Sequence, residues 1–303
     1  GMTIPAMKDE GYDPDYSAAL SSAASLLGPM IPPSITLIVY AGLTEASVQK
    51  LFLATLTPAI LCTVAFLAYT LWYGKKKNLP KQPKKTAKEA GKIMLDAIWA
   101  LLLPVIVLGL IFSGATTVTE AAAVSCLYSA VVSLFIYKTI TFKDLLKILG
   151  DSAVSIAAIM ILVGMSKATA YVVISSQMPQ LFMDFITSIT DSRFVVLLII
   201  NVIFLILGCL MEGNCIIVMM VPLLLTLVKS FGIDLLQFGV MSAINIYIGC
   251  ITPPVGVSLL LGCKLGKTSV GGTFKAILPF FAISMVILIL VTYWPSFTLW
   301  LIH

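Results

Sequence analysis

The residues of this sequence able to do chemistry in an apolar setting are few, and they gather around two interruptions of the same form. One is Gly28-Pro-Met-Ile-Pro32-Pro33. The other is Gly249-Cys-Ile-Thr-Pro253-Pro254, 221 residues later. Consecutive prolines remove two backbone donors and clash with the preceding turn. The residues ahead of them are pushed out of helical geometry. A helix over 15–27 is therefore expected to end near Gly28 and to restart near Ser34. A helix over 235–248 is expected to end near Gly249 and to restart near Pro253, with Thr252 as its cap. Gly28 and Gly249 permit the dihedrals that such a break needs. Each break exposes free carbonyls at the end of its first half and free amides at the start of its second. Carbonyl ends coordinate a cation, and amide ends attract an anion. A single proline kink is usually structural; two matched breaks, each with a double proline and an upstream glycine, point to a binding role.

A third feature is the polar tip Met211-Glu212-Gly213-Asn214 between two apolar runs. A carboxylate at membrane depth is costly and usually functional. Glu212 can neutralise a cation or cap the helix that starts at Asn214. Asn214 offers a side-chain carbonyl to a cation and an amide to a carboxylate. The competing reading is a polar turn in water. Asn245 lies one turn before Gly249, where it either faces the same cavity or bonds a neighbouring helix. Lys167, inside the run Met160 to Ser176, either pairs with a substrate carboxylate, or snorkels or meets an acidic partner in a structural role. Ser25 and Ser34 flank the first break and join the candidate substrate contacts. Glu120 reads as a helix-start residue beside Thr117.

These groups must be positioned by membrane-spanning helices. The 303 residues are 59% hydrophobic and 11% charged, with a mean hydropathy of +1.06. Soluble domains carry about 25% charged residues. Apolar runs at 51–73, 95–113, 118–137, 153–176, 193–210 and 276–302 approach or exceed the roughly 20 residues needed to cross the hydrocarbon core. They are too long and evenly apolar for barrel strands. The fold class is therefore an all-α membrane protein. The N-terminal stretch Gly1 to Ala18 is too charged for a signal peptide and reads as a loop entering a helix.

The two breaks belong to an internal repeat. Gly11-Tyr-Asp13 matches Gly232-Ile-Asp234 at the same offset of 221, and Ser47-Val48, Phe52 and Ala54 match Ser269-Val270, Phe274 and Ala276 at 222. The segment Lys75 to Lys92 carries eight lysines and one glutamate, which places it in the cytoplasm. Threading inward and outward from there puts Lys138, Lys143 and Lys147 in an inside loop. With 193–228 as a re-entrant hairpin, the first break is approached from the cytoplasm and the second from outside. The copies are thus antiparallel, an inverted repeat of the kind found in secondary transporters. Only ten residues precede Gly11, so a hairpin matching 193–228 is expected upstream of Gly1. Residues 1–50 hold the first broken helix and 51–150 hold long helices with a lysine-rich loop at 75–92. Residues 151–268 hold a helix, the hairpin and the second broken helix, and 269–303 a terminal helix.

Enzyme signatures are missing: there is no H-E-x-x-H, no G-x-S-x-G, no Walker loop and no clustered ligand set for a transition metal. The single histidine is His303, and none of the six cysteines forms a C-x-x-C pair. The net charge of +5 sits in loops and reads as topology rather than nucleic-acid binding.

Gly11-Tyr-Asp-Pro14, Gly28-Pro-Met-Ile-Pro-Pro-Ser34, Thr119-Glu-Ala-Ala-Ala-Val124, Gly232-Ile-Asp234 and Thr252-Pro-Pro-Val-Gly256 together resemble the large membrane subunit of TRAP (tripartite ATP-independent periplasmic) transporters. The resemblance runs over nearly the whole chain. It implies a multi-pass protein of the bacterial inner membrane that imports organic acids, a C4-dicarboxylate or a sialic acid leading, by an elevator motion. It implies no cofactor, with sodium as coupling ion. It also implies two partners, a periplasmic substrate-binding protein and a small four-helix membrane subunit, separate or fused. Sodium sites in this family use hairpin tips and broken-helix carbonyls. Carried over, these are Gly28 and Pro29 on one side and Glu212, Gly213, Asn214, Gly249 and Thr252 on the other. The substrate candidates are Ser25, Ser34, Asn214, Asn245 and Lys167, although Lys167 departs from the apolar pattern expected there. A stand-alone sodium/dicarboxylate symporter with a similar inverted repeat is the alternative.

Overall fold

The computed structural model describes residues 3–77, 79 and 86–302, which form helices and turns with no strand. The first stretch is α1 (Thr3–Asp9), α2 (Pro14–Ala24), α3 (Leu27–Met30), α4 (Ile35–Thr44) and α5 (Val48–Lys76). Then come α6 (Ala87–Phe112), α7 (Val118–Val131) with a π-helical turn at Val132–Ile136, α8 (Phe142–Ser175) and α9 (Met178–Ile189). The hairpin is α10 (Arg193–Leu210) and α11 (Gly213–Ser230). Last are α12 (Leu235–Cys250), α13 (Val257–Gly266), α14 (Val270–Tyr293) and α15 (Pro295–Leu299). Among the described residues, seven segments are long and apolar enough to cross a membrane: Pro14–Thr44 with its break, Val48–Lys76, Ile93–Phe112, Val118–Ile136, Arg193–Leu210, Gly213–Ser230 and Val270–Tyr293.

The chain divides into two compact units, residues 1–80 with 165–303, and residues 81–164. The first unit holds both copies of the repeat, and the copies agree bond by bond. Asp13 caps α2 by accepting from the amides of Asp15 and Tyr16 at 2.8 and 3.1 Å. Asp234 caps α12 by accepting from Leu236 and Gln237 at 2.8 and 3.1 Å. Ahead of each cap, a helix ends on a glycine of positive φ, Gly11 at 83° and Gly232 at 61°. There the amides of Gly11 and Tyr12 return to Lys8 and Met7, and those of Gly232 and Ile233 to Lys229 and Val228. This is the paired closure of a helix C-terminus that only a residue tolerant of left-handed backbone makes cheaply. Helix α1 is thus the counterpart of residues 224–230 at the end of α11, and the expected N-terminal loop is corrected to a short helix. Its Lys8 Nζ donates to the Gly266 carbonyl at 2.9 Å. Ser47 and Ser269 cap α5 and α14 alike, and both Pro-Pro peptides are cis.

The copies also pack onto each other in exchanged pairs. Helix α14 lies on α2 as α5 lies on α12, α13 on α2 as α4 on α12, and α11 on α4 as α1 on α13. Their directions are opposed. Thr273, in the first turn of α14, donates to Asp15 Oδ1 in the first turn of α2 at 3.1 Å. Gln237, in the first turn of α12, donates instead to the Val291 and Thr292 carbonyls at 3.0 and 2.8 Å. The two broken helices therefore begin at opposite ends of one 24-residue helix, which is roughly 36 Å long at about 1.5 Å per residue. This is the inverted repeat expected from charge bias.

The breaks themselves differ in detail from expectation. Helix α2 stops at Ala24, earlier than foreseen, and Gly28 sits inside the single turn α3. The second half does restart after Ser34, whose Oγ accepts from Leu37 N at 3.4 Å. In the second copy α12 runs through Gly249 to Cys250, and α13 starts at Val257 rather than Pro253. Thr252 does not cap that restart: its hydroxyl donates backward to the Ile248 carbonyl at 2.8 Å. Neither Gly28 nor Gly249 has a positive φ; the residue that does is Gly256, at 45°. Gly249 serves packing instead. A Cβ there would lie 2.5 Å from the backbone of Gly208, because α10 and α12 touch main chain to main chain. Gly28 faces open space.

Other boundaries also shift. The terminal span is α14, ending before Pro295, so it begins six residues ahead of the expected 276 and ends at Tyr293. Helix α8 starts at Phe142, which makes Lys143 and Lys147 helical rather than part of a loop. Of the lysine-rich stretch 75–92, residues 78 and 80–85 lie outside the described residues. In the second unit Glu120 takes its expected part, closing a capping box with Thr117, and Thr86 with Glu89 makes another. The Thr86 backbone and hydroxyl bonds hold Glu89 below its usual carboxylate range.

Substitution by alanine separates the two break glycines. Gly249→Ala inserts a methyl into a backbone contact and is expected to destabilise by about 1–3 kcal/mol. Gly28→Ala is expected to be neutral or slightly stabilising, since its surroundings are empty. Thermal unfolding in detergent checks both; equal effects would contradict the assigned roles.

Candidate functional site

The hairpin tip is ordered by its own carboxylate. Glu212 precedes α11, and its Oε2 accepts from the amides of Asn214 and Cys215 at 2.9 and 3.2 Å. Its Oε1 accepts from Asn214 Nδ2 at 2.9 Å. Both carboxylate oxygens thus satisfy orphan donors at a helix N-terminus, where a negative charge is favoured. Of the two expected roles, the structure places Glu212 in the capping one. Gly213 is buried, and a Cβ there would meet Ile246 Cγ2 at 3.1 Å and the Tyr247 ring at 3.5 Å, so the tip presses on the last turn of α12.

With its amide nitrogen held by Glu212, Asn214 presents Oδ1 outward. Thr36, in the first turn of α4, donates to it at 2.9 Å. The Thr36 oxygen also lies 2.6 Å from the Tyr247 hydroxyl. Thr36 is 1% exposed, and Asn214 and Tyr247 are half-buried. These three side chains join three elements: the hairpin tip, the second half of the first broken helix and the first half of the second. Asn214 is one of the residues expected from the sequence; Thr36 and Tyr247 are not. The signal was available in their positions, two residues after the Ser34 cap and two before Gly249, facing the break from inside each half-helix.

At the second break the loop turns tightly. Gly249 O accepts from Thr252 N at 2.8 Å, and Gly256 N donates to Cys209 O at 3.0 Å, tying the loop to the end of α10. The carbonyl oxygens of Thr252 and Cys250 lie 2.6 and 3.2 Å from the point that a Cβ on Gly256 would occupy. Glycine is therefore required there, and two backbone oxygens converge on its Cα hydrogen.

The remaining candidates scatter. Ser34 is 2% exposed, with its oxygen used in capping α4. Ser25 is exposed and donates to Ser22 O at 2.7 Å. Gly28 is exposed and Pro29 half-exposed. No hydrogen bond among the described residues links Ser25, Gly28 or Pro29 to the tip. Asn245 is fully buried, and its Nδ2 donates to the backbone and side-chain oxygens of Asn201 at 2.8 and 2.7 Å. Asn201 in turn donates to Thr292 Oγ1 at 3.0 Å. Asn245 therefore takes the helix-bonding role rather than facing a cavity. Lys167 lies on α8, and its side chain is outside the described residues. No group of acidic, histidine or cysteine side chains among the described residues is placed to hold a transition metal.

Residues 1–297 match the family described as the tripartite ATP-independent periplasmic transporter, DctM component. The sialic acid TRAP transporter large permease protein SiaM of Vibrio cholerae is 34% identical over 98% of this chain and 70% of its own length. The C4-dicarboxylate TRAP transporter large permease protein DctM of Pseudomonas aeruginosa is 36% identical over the same shares, 98% and 70%. The isethionate TRAP transporter permease protein DctMQ of Oleidesulfovibrio alaskensis is 33% identical over 97% of this chain, which spans 47% of that longer protein. With its inverted pair of broken helices and its seven candidate spans, this chain belongs to the DctM component family of tripartite ATP-independent periplasmic transporters: it is a multi-pass inner-membrane permease and not an enzyme.

Proposed function

We propose that this permease imports an organic acid by sodium-coupled secondary transport. It would receive its substrate from a periplasmic binding protein and work beside a small four-helix membrane subunit. The observation that carries the reading is the Thr36–Asn214–Tyr247 contact, which sets a polar junction at the meeting of both broken helices and the hairpin. Irregular backbone is tolerated at membrane depth where it lines a cavity or is buried in protein. In many transporters unwound carbonyls and half-helix ends hold the ion and the anionic substrate. Support for sodium lies in the chemistry of the Asn214 side-chain carbonyl and of the backbone carbonyls at the second break, which are hard neutral donors suited to a monovalent cation. Support for an anionic substrate lies in the relatives, named for sialic acid, C4-dicarboxylates and isethionate. The last is a sulfonate, so the class includes both carboxylates and sulfonates. The broken helices and the hairpin would form the moving part of an elevator, with long helices of 51–150 and 269–303 as its frame.

Uptake into proteoliposomes is expected to need the binding protein, the small subunit and an inward sodium gradient. Uptake as fast in potassium, or without the binding protein, would exclude this reading. At finer scale, Asn214→Ala is expected to raise the sodium concentration for half-maximal uptake about tenfold or more, as for the loss of roughly 1.4 kcal/mol of ligation. Its unfolding temperature is expected to change little, because the Glu212 bonds to the backbone amides of residues 214 and 215 remain. An unchanged sodium dependence would remove Asn214 from the ion site.

A further inference from the structure

Arg193 is the only arginine in this sequence, and it stands where a cation is doubly disfavoured. It is the first residue of α10, and the amide end of a helix repels positive charge. On the topology given by the lysine bias this end faces the periplasm, the side that carries fewer basic residues. The side chain is exposed and finds little compensation. Its Nη2 donates to Gln237 Oε1 at 3.4 Å. No carboxylate among the described residues pairs with it, that of neighbouring Asp191 included. Gln237 is buried and fixed by its two bonds to the Val291 and Thr292 carbonyls. It therefore holds the guanidinium in place without neutralising it. Ser192 gives α10 no side-chain cap, and the first turn of the helix carries no acid. The guanidinium and the open amides of that turn thus attract an anion together.

What surrounds Arg193 is mostly apolar. With Phe194, Leu197, Thr292, Tyr293 and Pro295 it lines a cavity of about 340 Å³. The Phe194 and Tyr293 rings stack at 4.1 Å, and the Tyr293 hydroxyl donates to the Phe194 carbonyl at 3.3 Å. Tyr293 ends a membrane span, and Trp294 after it is exposed. Tyrosine and tryptophan at the end of a span mark the headgroup level of a bilayer. One turn apart along α10, Phe194, Leu198 and Val202 are exposed, as are Ile289 and Val286 on α14. A small organic acid would use the cation and leave these apolar faces bare. A phosphate with hydrocarbon attached uses both.

We propose that Arg193 and the Phe194–Tyr293 cavity bind the phosphate of a phospholipid whose acyl chain lies along α10 and α14. The guanidinium fork matches two phosphate oxygens at once, which an ammonium does not. A lipid held there bridges the outer end of the hairpin and the terminal span. Native mass spectrometry of the permease purified with its small subunit, titrated in detergent with phosphatidylglycerol, tests the assignment. Arg193→Gln is expected to weaken binding of the tightest lipid about tenfold, the weight of one hydrogen bond to a charged group. Arg193→Lys is expected to weaken it less, since the charge remains without the fork. Lys229→Gln removes another exposed cation from the outer end of the hairpin. It is expected to change the affinity less than about twofold, because exposed charges away from the site are screened. No loss at 193, or equal losses at 193 and 229, overturns the proposal. Two further arms separate the sources of the anion. Displacement of the lipid by an equal concentration of glycerol phosphate would make this a site for free anions, against the proposal. An Arg193→Gln protein that keeps its lipid but shows a raised KM for the loaded binding protein would make the arginine a docking residue, equally against it. Should Arg193→Gln not fold, Arg193→Lys carries the test, and unchanged lipid affinity in that variant overturns the proposal.

Discussion

The structure depends on one constraint: backbone polar groups in an apolar medium must be paired within the protein. A helix broken at membrane depth violates it four times over, at the end of one half and the start of the next, in each of two copies. What meets those exposed ends decides the fold. Ser34 covers the start of α4, Thr252 and its amide return to the end of α12, and Cys209 takes the Gly256 amide. One of these partners, Cys209, comes from the hairpin. The hairpin is therefore no appendage. It contributes Cys209 O to one break and, through Asn214, a contact to Thr36 at the other.

That dependence also explains the close crossing of α10 on α12. Gly208 and Gly249 allow backbones to touch, and Asn201 with Asn245 adds polar bonds along the same seam. Small residues and side-chain amides are the usual means of joining helices where lipid removes the hydrophobic advantage. Asn245 Oδ1 stays buried without a partner, so the seam is not fully satisfied. The hairpin and the second broken helix are in effect one packed body, consistent with their proposed movement together.

Much of this was legible in the sequence because it is written in backbone chemistry. Double prolines force a break wherever they occur in an apolar run. Aspartate after glycine marks a cap, and Asp13 and Asp234 make matching bonds in the two copies. Lysine bias gave the inversion that Asp15–Thr273 and Gln237–Val291 display. What was not legible depends on tertiary contact. Gly249 looked like a dihedral requirement and is a packing one, since only the position of Gly208 reveals the difference. Thr252 looked like an N-cap and bonds backward, because the chain does not become helical until Val257. Thr36 and Tyr247 carry no motif of their own; they matter because the fold sets them against Asn214.

The central claim is that the two broken helices enter the membrane from opposite faces. It is tested most directly on the equivalent positions Asp9 and Ser230, both exposed at the helix ends that precede the breaks. Each is replaced by cysteine in a chain lacking its native cysteines and treated with a membrane-impermeant maleimide on right-side-out and inverted vesicles. The expected result is labelling at 230 only from the periplasmic side and at 9 only from the cytoplasmic side. Labelling of both positions from the same side would contradict the inverted repeat and the transport mechanism built on it.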